Sequence, residues 1–439
     1  MKLPDNSARP MRPQISFNLL SLGALLLVLV SGGYGQAKIS PGAANSQSVA
    51  VSNYLAAIAI AGDSVTLEQL SRIYAEPPAA QNAAPLYAQA FAALSAEGAN
   101  SPTFLAHNRK ALVLLLQAAE RPSCRYPVAL TNGVTALLPH LAKIKTCATL
   151  LREDAVSQAT REHTDAATAL ILAGFRLARS LDNEPLLLSK LVEIASLGQA
   201  FDALQQSLNQ KSFTDAQLFR LQTALRDAEP AVAFRRAMLG ERANLVAVFQ
   251  SSDEGLAEAM AVIGGSAAPQ FSLRSYRSAG YLQGDFAFAL DFMSNLVALV
   301  AVPYPEALDA AARMKIPDAQ TALDEKLVVS ALLLPAPAGF VKKGAEAVAR
   351  IRLAWTVLAV ERYRLKHGGA RPASLADVSA ELPGGIPEDP FDGQPLRYRQ
   401  VPTGGYAVWS VGTDRKDDGG SIIRPDRKTP LDVVMTIAR

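Results

Sequence analysis

Metal ligands and catalytic bases in this chain would come first from its two cysteines and four histidines. Cys124, His140, Cys147 and His163 follow one another at similar spacing, which is compatible at first sight with a zinc site. Structural zinc sites usually close through paired ligands about two to four residues apart. These four residues contain no such pair, and the sequence has no His-Glu-x-x-His motif. We therefore expect no metal at these positions.

One short segment has the composition of a catalytic serine loop. Gly62-Asp63-Ser64 follows an apolar run over residues 57–61 and resembles the nucleophile block of GDSL-type hydrolases. That family also needs an Asp-x-x-His segment, yet no histidine here has an aspartate three residues before it. A serine hydroxyl without a positioned base is not activated. The segment is interpreted as a loop before a helix, and no other catalytic motif is found.

The two cysteines also bear on redox chemistry. Cys147 lies at helical spacing from Ile144, Ala148 and Leu151, on an apolar face. A free buried cysteine packs as a small hydrophobic residue. We favour two structural thiols, and a Cys124–Cys147 disulfide is the alternative if the protein reaches an oxidising compartment.

Composition indicates which fold must position these residues. The chain has 439 residues, with 49% hydrophobic and 19% charged residues, which is enough to build two or three domains with a substantial core. Much of the apolar content is Ala and Leu, which are strong helix formers. The formal net charge is only +3, with basic and acidic residues intermixed. Nucleic-acid binding is not expected, because it needs a concentrated basic surface.

The N-terminal segment has the three parts of a secretory signal. Lys2, Arg9 and Arg12 precede an apolar run over residues 17–30, and small residues such as Gly35 follow it. The run of about 14 residues would span roughly 21 Å as a helix, short of a hydrocarbon core of ~30 Å. Residues 1–37 are predicted to be a cleaved signal peptide or, alternatively, a retained membrane anchor.

Export follows from this reading. The remainder of the chain would lie in the periplasm or outside the cell, with membrane contact only through the N-terminal segment. No cysteine follows the apolar run closely, so lipid attachment is not expected. A second apolar run over residues 290–302 contains Asp291 and ends before Pro303, and it is too short to span a bilayer. We expect a core helix there.

Residues 45–333 are predicted to form a helical domain, either an irregular bundle or an α-solenoid-like body. Thr66-Leu67-Glu68-Gln69 has the form of a capping box. The apolar pattern predicts two helices that meet at a break over residues 182–185, and such a pair forms an antiparallel hairpin. Other predicted helices cover residues 82–97, 103–120, 215–228, 231–249 and 306–314. No fixed repeat period is found.

Residues 342–439 are predicted to form a small α+β module. An amphipathic helix over residues 342–367 comes first, and Ser374 caps a short helical turn after it. Strands are predicted over residues 396–400 and 406–411, joined by the turn Pro402-Thr403-Gly404-Gly405. Leu431, Val433, Met435 and Ile437 alternate with other residues and indicate a final strand with one buried face.

The C-terminal module resembles the globular domain of the major pseudopilins of type II secretion. The resemblance covers residues 345–438, and its motifs occur in the order found in the family. They are Trp355…Tyr363…Gly368…Pro372-Ala373-Ser374-Leu375, then Asp389-Pro390-Phe391-Asp392-Gly393-Gln394-Pro395-Leu396-Arg397-Tyr398, then Gly405-Tyr406-Ala407-Val408-Trp409-Ser410-Val411-Gly412-Thr413-Asp414. The whole chain is also similar to exported bacterial proteins that combine a helical front with this ending.

The resemblance implies a calcium site in the loop after the second strand. Asp414 matches the family's loop aspartate and Asp432 the later one, while Asp417 and Asp418 are local alternatives. Clustered carboxylates on a glycine-rich loop suit Ca²⁺, which takes about six to eight oxygen ligands. Of the two interpretations, we favour a solvated turn without an ion over a calcium site, which stays the alternative.

The departures from the family limit what the resemblance implies. Pseudopilins begin with a prepilin-peptidase site, its Glu and a long apolar helix that leads straight into the domain. This chain has no such Glu after Phe17, and a helical body intervenes. We expect an exported envelope protein that is not an enzyme and acts as an interaction or scaffold protein with a protein partner. The alternatives are an envelope hydrolase and an accessory component of a type II secretion or pilus-like assembly.

Overall fold

A computed structural model describes residues 41–226, 231–264, 272–402, 404–421 and 432–439. The predicted export segment, residues 1–37, lies outside these ranges, and so does Leu431 of the predicted last strand. The described part is mainly helical and has a small antiparallel sheet near its C-terminal end.

The helices of the first half are numbered in chain order. They are α1 (Pro41–Ile60), α2 (Leu67–Ile73), α3 (Ala84–Ala92), α4 (Phe104–His107), α5 (Arg109–Ala119), α6 (Pro139–Thr160), α7 (Thr164–Arg179), α8 (Leu187–Gln210) and α9 (Asp215–Arg226). A 3-10 helix, Leu130–Thr135, precedes α6.

The second half continues the numbering. It contains α10 (Ala231–Gln250), α11 (Asp253–Gly264), α12 (Leu273–Ser278), α13 (Tyr281–Leu299), α14 (Glu306–Arg313), α15 (Ala319–Asp324), α16 (Val328–Leu333) and α17 (Pro337–Lys366). After α17 come the 3-10 helix Leu375–Glu381, strands β1 (Arg397–Gln400) and β2 (Tyr406–Ser410), the 3-10 helix Gly412–Asp414 and strand β3 (Val433–Ile437).

Local capping signals set several helix starts. The Thr66 side chain accepts a hydrogen bond from the Gln69 backbone, and the Gln69 side chain accepts one from the Thr66 backbone, which confirms the predicted capping box. Ser374 caps the 3-10 helix Leu375–Glu381, as predicted, and Asp377 completes a second capping box there. Asp318 caps α15 in the same way.

The helix predicted over residues 103–120 is wrong in one respect, because it is broken at Asn108. Asn108 is fully buried, and its side-chain amide donates to the Phe104 carbonyl and to Ser95 Oγ. Its Oδ1 also accepts from the Ser95 backbone. An Asn side chain that competes with the backbone for hydrogen bonds favours a helix boundary over a helix interior. The chain therefore forms α4 and α5 instead of one helix.

The clearest helical hairpin has the predicted position. α7 and α8 pack on each other and on α6, with the break at residues 180–186. A Cβ added at Gly174 would lie 3.2 Å from the Ala200 side chain, so the small residue allows α7 and α8 to approach closely. The antiparallel arrangement predicted from the apolar pattern is confirmed.

Two hydrophobic clusters form the core, and α17 takes part in both. The first joins α2–α9 to the C-terminal half of α17 and to the inner face of the sheet. The second joins α1, α10–α14 and α16 to the N-terminal half of α17. α13 lies in this second cluster, with Leu290, Met293 and Leu296 fully buried, as expected for a core helix. In the described residues, no helix combines the length and apolar character needed to cross a membrane.

The sheet has the order β1-β2-β3 with antiparallel neighbours. In its register Tyr398 lies opposite Val408, and Val408 lies opposite Met435. Gly405 in the β1–β2 turn has a φ of 78°, and a Cβ there would lie 2.0 Å from the Ile437 carbonyl oxygen. Only glycine fits this turn, because the turn backbone approaches β3 so closely. The predicted strands are confirmed over their described residues.

Candidate functional site

The acidic loop that follows β2 folds back over the sheet. Asp417 Oδ1 accepts hydrogen bonds from Trp409 Nε1 and from the Gly419 backbone, both at 2.9 Å. Asp432 accepts from the Gly420 backbone at 2.7 Å and from the Asp418 backbone at 3.4 Å. Asp414 Oδ1 accepts from the Lys416 backbone at 3.2 Å. The carboxylates of three of the four predicted ligands thus hold the loop's own backbone.

Two observations on the loop bear on whether its four aspartates can hold an ion. Burial raises the pKa of Asp432, although its backbone hydrogen bonds act in the other direction. Within the ranges that the structure covers, no group of three or more His, Cys, Asp or Glu residues is arranged to hold a metal ion. Calcium binding by Asp414, Asp417, Asp418 and Asp432 stays a prediction.

A buried aspartate beside this loop has a larger structural role. The Asp389 side chain is fully buried and accepts from the Phe391 and Val411 backbones and from Ser410 Oγ, at 2.8–3.0 Å. Arg397 Nη1 donates to it at 2.8 Å, and the same guanidinium also pairs with Asp392. Burial raises the pKa of Asp389 in spite of these bonds. Asp389 thus ties the start of β1 to the end of β2.

The β3 edge of the sheet is covered by the helical body. The side-chain amides of Gln205 and Asn209, both on α8, donate to the Thr436 carbonyl at 3.2 and 3.0 Å. Asn209 Oδ1 accepts from the Ala438 backbone at 2.7 Å. Arg439 donates to the Leu208 carbonyl and to Glu361. The Thr436 carbonyl of β3 and the Ala438 amide that follows the strand are therefore paired with α8.

The β1 edge is open. Val401 donates to the Gly405 carbonyl, toward β2, whereas Leu396 donates to the Pro387 carbonyl on the opposite side. Since successive residues of a strand point their backbone groups in opposite directions, Tyr398 and Gln400 direct their N–H and C=O groups away from β2. In the part of the chain that the structure describes, no partner contacts these four groups. With respect to the residues described, they form a free strand edge.

The other residues that suggested chemistry are held in structural contacts. Cys124 and Cys147 are free, buried thiols, and burial raises the pKa of each to about 12. The predicted alternative of a disulfide between them is not formed. His140 is buried, with Nε2 3.0 Å from the buried carboxylate of Glu184. The exposed ring of His163 lies 3.0 Å from the Gln158 side chain.

The segment interpreted as a loop, Gly62-Asp63-Ser64, follows α1. Burial of Asp63 opposes ionisation, yet the guanidinium groups of Arg235 and Arg242 hold its pKa below the usual value. These ion pairs join the loop to α10. The Ser64 hydroxyl is buried and has no hydrogen-bond partner among the described residues, so nothing there activates it.

A cavity of about 300 Å³ lies between α17 and the segment that joins α13 to α14, and an adjoining cavity of about 310 Å³ lies between α17, the end of α9 and residues 384–388. Arg352 and Glu388 line both, and Arg352 Nη1 donates to the Glu388 carbonyl at 2.7 Å. Burial raises the pKa of several acids in the described chain, with Asp285 at about 6 and Glu193 at about 8. Neither of those two lines either cavity. The shifted groups and the cavities are therefore separate features.

Two of these features escaped the sequence reasoning. Asp389 belongs to a motif that carried the family resemblance, but its partners are up to 22 residues away. The covering of β3 by Asn209 joins residues 227 apart, and no local pattern marks it. Comparison of the chain with protein-family models, with curated proteins and with solved structures finds no match in any of the three.

Proposed function

We propose that this chain is a non-enzymatic interaction protein of the bacterial cell envelope, in which a pseudopilin-like module serves as the docking element. The observation that carries the proposal is the asymmetry of the sheet. The β3 edge is bonded to α8 at the Thr436 carbonyl and the Ala438 amide, whereas the outward backbone groups of Tyr398 and Gln400 on β1 have no partner among the described residues. A free edge is a ready site for pairing with another chain.

Contacts between the module and the body support a platform role. Arg362 on α17 pairs with Asp215 at 2.7 Å, and Gln222 on α9 donates to the Glu381 carbonyl at 2.8 Å. The inner face of the sheet shares one hydrophobic cluster with α2–α9. Because these contacts fix the module on the body, a partner bound at the module would be held in one orientation relative to the helices.

Export is part of the proposal and rests on residues 17–30. Their apolar character and basic flank favour uptake by the translocation machinery. The measurement is fractionation of cells that produce the full chain, with mass determination of the product. A chain found inside the cell with Met1 attached would contradict export.

Calcium binding at Asp414, Asp417, Asp418 and Asp432 is the second part of the proposal. A ligand that binds the folded chain raises its melting temperature. We expect Ca²⁺ to raise the Tm and Mg²⁺ to leave it unchanged, because Mg²⁺ demands a tighter octahedral site. The matched control is the variant Asp414→Asn, which should lose the calcium shift. An unchanged Tm with calcium would contradict calcium binding.

The test of the interaction function is crosslinking in intact cells, followed by purification of the chain and mass spectrometry of what is attached. We expect one envelope protein to be captured reproducibly and to survive washes over a range of salt concentrations. A second tagged envelope protein of similar abundance is the control for chance capture. Recovery of no specific partner at any salt concentration would contradict the proposal.

A further inference from the structure

The open edge of the sheet has a defined hydrogen-bonding pattern. Tyr398 and Gln400 each present one N–H and one C=O, while Arg399 between them is paired with β2 opposite Ala407. An extended peptide that joins a sheet edge bonds to alternate residues of the edge strand. The edge can therefore hold a short segment through about four backbone hydrogen bonds.

The free run is bounded at one end. Pro387 accepts from the Leu396 backbone, and Glu388 forms an isolated bridge with Pro395, so the chain itself occupies the edge before β1. An added strand would start beside Tyr398. The free edge is thus confined to the residues around Arg399.

Side chains on the two faces of β1 differ. The Tyr398 ring packs near the Tyr406 ring, with centroids 5.8 Å apart, on the face that packs against α17. Arg399 lies on the other face, exposed, with its guanidinium 5.8 Å from the centroid of the Trp409 ring. A partner residue directly opposite Arg399 would project on the Arg399 face, and its two neighbours would project toward Tyr398 and Gln400.

We infer that β1 binds an extended segment of a partner protein as a fourth strand, with an acidic residue opposite Arg399 and β-branched or aromatic residues on either side of it. Opposite charges on facing strand residues attract, and β-branched residues pack well on a pleated surface. The inference rests on the proposed interaction function and names the chemistry of the partner.

Charge argues against a second copy of this chain as the occupant. Two β1 strands paired antiparallel about a two-fold axis at Arg399 would place their Arg399 side chains directly opposite each other. Like charges in that position destabilise a strand pair. An acidic segment from another protein removes this repulsion.

The direct test uses two fluorescent peptides and the full chain. The first has the sequence Thr-Val-Glu-Val-Thr and the second has Lys in place of the Glu. Fluorescence anisotropy should show the Glu peptide binding about fivefold more tightly, as expected for one exposed cross-strand charge pair. Equal binding of the two peptides, or no binding of either, would overturn the inference.

Amide hydrogen exchange locates the bound peptide. Saturating Glu peptide should slow exchange at the Tyr398 and Gln400 amides and leave the Arg399 amide unchanged, because Arg399 already faces β2. Binding that slows exchange elsewhere and leaves Tyr398 and Gln400 unaffected would assign the peptide to another surface and overturn the inference.

Two variants separate edge pairing from non-specific attraction. Gln400→Pro removes an outward-facing N–H, and an edge strand tolerates this change. The variant should bind the Glu peptide at least about tenfold more weakly than wild type does. Gln400→Ala is the matched control, since it loses the same side chain but keeps the N–H. If Gln400→Pro does not fold, Arg399→Glu decides the question, because it should reverse the preference to the Lys peptide. An unreversed preference would contradict the inference.

The same variants distinguish this inference from the proposed function. If crosslinking in cells captures a partner equally well with wild type and Gln400→Pro, the interaction function stands and the edge assignment is wrong. If wild type captures nothing, the interaction function falls, whatever the peptides do. Capture by wild type and Gln400→Ala, lost in Gln400→Pro, is the result expected.

Discussion

The two edges of the small sheet differ in how their outward backbone groups are hydrogen-bonded. Both β1 and β3 would present unpaired backbone groups to water, and such edges invite pairing with other chains. At β3 the side-chain amides of Gln205 and Asn209 both donate to the Thr436 carbonyl, and Asn209 Oδ1 accepts from the Ala438 amide. At β1 the backbone groups of Tyr398 and Gln400 stay free. Among the described residues, one edge thus contacts the helical body and the other keeps outward backbone groups without a partner.

The open edge also shows how uncontrolled aggregation is limited. β1 has only four residues, and two of them are Arg397 and Arg399. Short, charged edge strands resist pairing with copies of themselves. Arg397 is already paired with Asp389 and Asp392, so Arg399 is the charge that would both oppose self-pairing and attract the acidic segment that we propose.

The largest expected effect comes from removing the buried anchor of the β1 side. Asp389→Ala leaves the Phe391 and Val411 amides and the Ser410 hydroxyl without this acceptor and removes one of the two carboxylates that pair with Arg397. Losing one member of a buried pair costs about 3–5 kcal/mol, and the remaining Asp392 pair places the expected loss at the lower end of this range. Urea unfolding followed by circular dichroism measures the loss. The control is Asp417→Ala, at a half-exposed carboxylate. Equal destabilisation by the two variants would contradict the anchoring role.

The next largest loss of stability is expected from removing the contacts of α8 with the β3 edge. Asn209→Ala removes the bonds to Thr436 and Ala438 and should lower the free energy of unfolding by about 1–3 kcal/mol. Amide exchange at Ala438 should become faster. Gln205→Ala removes a single bond to Thr436 and should cost less, about 1 kcal/mol. A greater loss from Gln205→Ala would show that Asn209 does not dominate this edge.

A smaller effect is expected at the open edge. Gln400 is exposed, and its side chain makes one hydrogen bond, to the Pro372 carbonyl at 2.9 Å. Gln400→Ala should change the free energy of unfolding by no more than about 0.5 kcal/mol. The measurement is the same urea titration used for Asn209→Ala. A cost as large as that of Asn209→Ala would mean that the two edges are equally bonded to the rest of the chain.

The smallest effect is a change in pH dependence near β3. Burial raises the pKa of Asp432 above its ordinary value, so the folded chain holds this proton more tightly than the unfolded chain. The carboxyl group therefore disfavours folding above its folded-state pKa, and this penalty disappears as the pH falls below the ordinary value.

Asp432→Asn should remove that part of the pH dependence. The measurement is the difference in unfolding free energy between wild type and variant at several pH values around and above the ordinary Asp pKa of about 4. As the pH rises through this window, the unfolding free energy of the variant should increase relative to that of wild type. A constant difference across the window would contradict the raised pKa.

Local sequence patterns predicted many of the elements. The pairs Thr66 with Gln69 and Ser374 with Asp377 set helix starts from residues three apart. Alternation of apolar residues indicated β3, and the turn over residues 402–405 indicated the β1–β2 hairpin. The break at residues 182–185 indicated the α7–α8 hairpin. These signals are readable because caps, turns and periodicity depend on a few neighbouring residues.

The sequence alone determined helical content, strand positions and the turn chemistry that Gly405 provides. Tertiary structure decided that Asn209 covers β3, that Asp389 gathers four donors and that Tyr398 and Gln400 keep a free edge. Which groups are paired and which are free depends on how segments pack that lie 22 residues apart at Asp389 and 227 residues apart at Asn209. Packing buries a continuous surface assembled from many elements, so it leaves no short signature in any one of them.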